Sequence, residues 1–133
     1  MALYEHGVKN VLVIFGLSTS ASIISYLSSK SLKRIIIAGN NDLNSSINRG
    51  LMASVKNFLK LSSYFDLDLL YIKNPPSKFN DLGDAHESGE DLLFWSKSET
   101  DQQKQRAFIS KFVSENYKNF SQSHIKKASK LNE

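Results

Sequence analysis

Two uninterrupted β-favouring runs, Asn10-Val11-Leu12-Val13-Ile14-Phe15 and Arg34-Ile35-Ile36-Ile37-Ala38, stop at Gly16 and Gly39 respectively. Apolar residues at consecutive positions, rather than at every second one, mark strands covered on both faces, as in a parallel sheet. Between the runs, Ile23, Ile24 and Leu27 recur at helical spacing, with Ser18, Thr19 and Ser20 offering N-cap hydroxyls and an end near Lys30. A polar loop then leads to a wider stripe of Ile47, Leu51, Val55, Phe58 and Leu59, broadened by Met52 and Leu61, which predicts a helix over about 47–63. Leu67 to Ile72 reads as a further strand, closed by Asn74-Pro75-Pro76 because proline cannot donate to a ladder. Two helices are predicted beyond it. A short one from Gly89 to about Ser98 buries Leu92, Leu93, Phe94 and Trp95, and a longer one from about Asp101 to Lys127 carries Phe108, Ile109, Phe112 and Val113 as its apolar face.

Strand, helix, strand, helix, strand with short connections predicts an α/β fold in which helices cover a mostly parallel sheet. Ligands of such sheets bind beyond the carboxyl ends of the strands. Polar clusters fall at those ends: Gly16 to Ser20, Asn40 to Asp42, and Lys78 to Asp84.

Composition narrows the class. The 133 residues, 41% of them hydrophobic, suffice for one compact core plus an appendage. Without cysteine, any metal must be held by oxygen or imidazole. The N-terminus lacks the basic start and apolar run of a signal peptide, and the longest apolar stretch, Val11 to Phe15, is far too short to span a membrane. A soluble, unexported protein without a membrane partner is expected. The net charge of +4 is unevenly spread: residues 1–95 hold nine Lys and Arg against nine Asp and Glu, whereas residues 96–133 hold eight against four. That basic tail mixes Lys104, Arg106, Lys111, Lys118, Lys126, Lys127 and Lys130 with Tyr117 and Phe120, a combination that suits single-stranded nucleic acid, a docking partner or a solvated helix face.

Asp42, Asp81 and Asp84, with Asn40, Asn41 and Asn80 beside them, are oxygen donors that follow strands. Carboxylates meeting at the ends of neighbouring parallel strands suit magnesium, which takes a few carboxylates plus water and phosphate oxygens. The same residue types are ordinary turn formers. The residues alone leave both readings open. His6, His86 and His124 have no metal-ligand spacing, and the glycines form neither a dinucleotide fingerprint nor a phosphate-binding loop.

In order and spacing, Val8 to Gly16, Ile35 to Asp42, Asn48-Arg49-Gly50-Leu51-Met52-Ala53-Ser54, Pro75-Pro76 and Asn80-Asp81-Leu82-Gly83-Asp84 together resemble the Toprim domain of DNA primases, most closely those of tailed phages. The resemblance covers roughly residues 3–84. It implies a three-layer Toprim-like domain over residues 1–95, with 96–133 as a basic helical tail, and Mg2+ (or Mn2+)-dependent nucleotidyl transfer for primer synthesis in DNA replication. The family's Asp-x-Asp motif falls on Asn40-Asn41-Asp42, so its first aspartate is an asparagine here, and the later acidic position falls on Asp81 with Asp84 just after it. The implied metal set is thus Asp42, Asp81, Asp84 and Asn40. Gly50 matches a small residue that the family uses, and Arg49 is placed to reach a phosphate.

The family's acid/base glutamate ends an earlier strand. Met1 to Gly7 looks like the helix after that strand, so the glutamate would precede Met1, and no catalytic residue is assigned within the chain. The resemblance therefore implies a Toprim-containing subunit or fragment, in which an upstream split-gene product, homodimerisation or a rearranged sheet fills the place of the missing strand. The partners it implies are nucleoside triphosphates, a DNA or RNA-DNA primer-template and a replicative helicase, in the cytoplasm of a phage-infected bacterial host. Arg49, Lys78, Lys104, Arg106, Lys111, Lys126 and Lys127 are the candidate nucleic-acid contacts. A non-catalytic module that keeps the fold and holds nucleic acid or a replication partner through its tail is the other expectation.

Overall fold

The computed structural model describes residues 20–40, 48–75 and 81–132. The expected strand at 10–15, the helix at 1–7, His6, Asp42, Lys78 and Asn80 lie outside the described residues. Within them, α1 spans Ala21–Ser28, and the Ser20 hydroxyl accepts from the Ile23 amide at 3.3 Å. The helix ends in a serine run whose hydroxyls turn back on its carbonyls, Ser28 to Ile24 at 2.8 Å and Ser29 to Tyr26 at 2.6 Å.

The three isoleucines of β1, Ile35–Ile37, pair in parallel with β2, Leu70–Ile72, in the register Ile35 to Leu70, Ile36 to Tyr71 and Ile37 to Ile72. Between them runs α2, Arg49–Leu61, which packs against both strands. Asn48 caps it by accepting from the Leu51 amide at 3.0 Å. Its stripe behaves as its spacing predicts, with Leu51, Met52, Val55, Phe58, Leu59 and Leu61 all buried. A parallel pair needs such a crossover, because a tight turn can only reverse the chain. The class is mixed α/β, with a two-stranded parallel sheet flanked by helices among the described residues.

Three expected elements are corrected. Strand structure does not begin at Leu67: Leu67–Leu69 is a 3-10 turn, closed by the Leu69 amide on the Asp66 carbonyl at 3.0 Å. The turn offers Asp68 to α5 (Gln102–Glu115), whose Gln102 Nε2 donates to the Asp68 carbonyl at 2.9 Å and whose Arg106 pairs with its carboxylate at 3.0 Å. The polar stretch through Asp84 is not all loop, since α3 covers Leu82–Glu87. The expected helix from 101 to 127 is two helices, α5 and α6 (Gln122–Ser129), parted by a 3-10 turn at Tyr117–Asn119. Asn116 draws its amide onto the Phe112 carbonyl at 2.9 Å, and Ser121 starts α6 by accepting from the His124 amide at 3.1 Å.

Helix α6 folds back on α5, where Ser110 donates to the Ala128 carbonyl at 2.9 Å; α6 packs on α2 and α5 on β2. Ile109, Val113, Phe120, Ala128 and Leu131 thereby join Ile24, Val55, Phe58, Leu59 and Leu70 in one buried cluster. Each fully buried aliphatic or phenyl side chain contributes about 2 kcal/mol. Helix α4, Leu92–Lys97, does not bury its whole apolar run: Leu92 is fully buried, whereas Phe94 is 73% exposed. Two residues apart on a helix means about 200° of rotation, so one helix side cannot hold both. No helix among the described residues is long and apolar enough to cross a membrane.

Candidate functional site

Two glycines let β1 run close over the start of α2. A Cβ on Gly50 would lie 2.7 Å from the Asn40 carbonyl carbon and closer still to its oxygen, and one on Gly39 would collide with the Ser54 hydroxyl. The backbone of Asn40 is thus seated against the first turn of α2, and the residue itself is exposed. Arg49, the first residue of that helix, is also exposed.

Asp81 and Asp84 sit on one short helix. Asp81 is the N-cap of α3, its Oδ1 accepting from the Asp84 amide at 2.7 Å, and Asp84 stands exposed in the first turn. Both carboxylates offset the positive helix end there. Among the described residues no group of three or more Asp, Glu or His side chains gathers in a way that would hold a metal ion. Of the basic residues, Lys104, Lys111 and Lys126 are exposed, Lys127 is half-buried and Arg106 is held by Asp68. Lys111 lies 3.9 Å from Glu115.

The C-terminal end of β2 carries residues that the sequence did not single out. Lys73 is 6% exposed. Its ammonium donates to the Trp95 carbonyl at 2.9 Å, to the Ser98 hydroxyl at 3.0 Å and to the Ser98 carbonyl. A cation thus sits on the last carbonyls of α4, where the helix end is negative. Burial, with the Arg34 charge added, holds the Lys73 ammonium below the usual lysine pKa. Trp95 donates its indole N–H to the Asn74 carbonyl at 2.8 Å, which ties the ring to the end of β2. On the other side of β2, the buried Gln105 amide accepts from the Ile72 N–H at 2.8 Å and donates to the Leu70 carbonyl at 3.0 Å. A lysine after an apolar run and a glutamine in a helix are common patterns, and neither announces such a partner.

Beyond β2 a cavity of about 330 Å³ opens between the strand end and the first two turns of α5, lined by Ile72, Asn74, Thr100, Asp101, Lys104, Gln105 and Phe108. The Oδ1 of Asn74 is buried without a hydrogen-bond partner.

His124 lies edge-on to Phe120 with ring centroids 6.0 Å apart, and its Nδ1 is buried without a partner. Burial first, then the charges of Lys56 and Lys127, push its pKa below the usual histidine value. The unfolded chain therefore binds more protons than the folded one below pH about 6.5, and stability falls as pH drops through the lowered value. In thermal melts between about pH 7.5 and 5, the wild-type midpoint is expected to fall further than that of His124→Phe. Parallel pH curves for the two proteins would exclude this role.

Comparison of the chain with protein-family models, with curated proteins and with solved structures finds no match.

Proposed function

We propose that the chain is a Toprim-like module for metal-dependent nucleotidyl transfer in primer synthesis, with a divalent cation held beyond the carboxyl ends of β1 and β2. The observation that carries the reading is the close seat of Asn40 against Gly50, since the resemblance asks for a small residue at the start of this helix and a metal-binding motif at the end of this strand. In the reading, Asp42 supplies the principal carboxylate, Asp81 its second oxygen, and Asn40 an amide oxygen. A cation held by these residues would supply charge neutralisation at the phosphates of a nucleoside triphosphate. With one carboxylate replaced by an amide, affinity for magnesium is reduced relative to a site with the full set. In the reading, no residue is assigned the role of the family's acid/base glutamate.

Asp42→Ala is expected to weaken Mn2+ binding, measured by electron paramagnetic resonance, by at least about tenfold. Magnesium-dependent primer synthesis, assayed with and without the product of the reading frame upstream, falls with it. Metal binding and synthesis that ignore the substitution would sink the reading. The second reading, a binding module without catalysis, draws on the exposed Lys104, Lys111 and Lys126 of α5 and α6. It predicts salt-sensitive retention of single-stranded DNA that Asp42→Ala leaves intact.

A further inference from the structure

The geometry points to the cavity beyond β2 as a site for a free α-amino acid with an apolar side chain. The cavity's position, at the carboxyl end of a parallel strand, is where ligands of α/β sheets bind, and about 330 Å³ lies at the small end of the range for such sites. Its lining sorts by chemistry. Ile72 and the ring of Phe108, 46% exposed, supply apolar walls. Thr100 and Asp101 supply acceptors, and Lys104 supplies a cation.

Three features select the ligand. First, Asp101 and Lys104 both line the cavity at one helix start, yet no ion pair forms between their side chains. Asp101 uses Oδ1 to cap the Gln103 and Lys104 amides at 3.0 and 3.1 Å, which leaves its second oxygen for a ligand. Second, the two charges cancel, so neither a lone anion nor a lone amine fits: a phosphate meets Asp101, and a simple ammonium meets Lys104. A zwitterion satisfies both. Third, the lining offers an ammonium two side-chain acceptors, the Asp101 carboxylate and the Thr100 hydroxyl, and leaves its remaining donor to water. The ligand's carboxylate then meets Lys104, and its side chain lies on Ile72 and Phe108. The site uses neither Asp42 nor a metal, and its test is independent of the nucleotidyl-transfer reading.

The test is a titration of the full chain, without metal, template or nucleotide, by isothermal calorimetry and amide chemical shifts. The probes are L-leucine, isoamylamine, which lacks the carboxylate, and 4-methylpentanoate, which lacks the ammonium. L-leucine is expected to shift residues 72, 74 and 100–108, and to bind at least tenfold more tightly than either single-charge analogue. Asp101→Asn keeps the helix cap, because asparagine caps as well as aspartate. It is expected to weaken leucine at least tenfold, as is Lys104→Gln, with both variants melting near the wild type. No shift at these residues, equal binding of either analogue, or affinity unchanged in Asp101→Asn would each overturn the proposal.

Discussion

Replacing Gly50 by alanine is expected to destabilise the protein by about 2 kcal/mol, against the sign that helix propensity gives. Alanine inside a helix is favoured over glycine by about 1 kcal/mol, so α2 taken alone would gain. The added methyl group, however, meets the carbonyl of Asn40, which is backbone and cannot swing aside as a side chain does. The end of β1 must lift from α2, and Gly39, already packed on Ser54, must move with it. Overpacking of this kind costs about 3 kcal/mol, and the propensity gain offsets a third of it. Gly83→Ala in α3 is the control, because a methyl group there meets only the side chain of Asp81, at 3.2 Å. Urea unfolding of the three proteins checks the expectation. A Gly50→Ala variant as stable as the wild type, or more so, would mean that β1 and α2 are not seated as described, and would remove the observation on which the nucleotidyl-transfer proposal stands.

The legible parts of the fold were those set by neighbours in sequence. The apolar stripe of Leu51, Val55, Phe58 and Leu59 announced α2, and three isoleucines shortly before a glycine announced β1. The break between α5 and α6 was missed, although Asn116, Asn119 and Ser121 are residue types that favour turns and helix starts. Burial around α4 was not legible, because Leu92 and Phe94 are equally apolar and only the packing decides which faces inward. Of the candidate site, Gly50 and Asn40 are brought together, whereas Asp81 is engaged as a helix cap through one oxygen. Lys73 and Gln105 escaped notice for a different reason. Their partners lie 25 and 33 residues away, and no local pattern encodes a polar side chain whose use is set by tertiary contact.

Gln105→Leu is expected to cost about 3 kcal/mol, the largest effect of any substitution proposed for this chain. The Leu70 carbonyl and the Ile72 amide project from the same side of β2, two residues apart, as they would toward a further strand. The Gln105 side-chain amide meets both, one donor to one acceptor and one acceptor to one donor, and so stands where a peptide group of a neighbouring strand would. Leucine fills a similar volume and keeps helix α5, but it leaves the buried Leu70 carbonyl and the part-buried Ile72 amide without partners, each costing about 1–3 kcal/mol. Gln105→Glu separates this hydrogen bonding from packing. An ionised carboxylate accepts from Ile72 but cannot donate to Leu70, so the folded state favours the protonated acid and raises its pKa above the unfolded value. The stability of Gln105→Glu relative to the wild type should then be greatest below the ordinary glutamate pKa, and should be lost as pH rises through the raised one. A leucine variant within about 0.5 kcal/mol of the wild type, or a glutamate variant whose deficit is constant with pH, would show that the Gln105 amide does not close this side of the sheet.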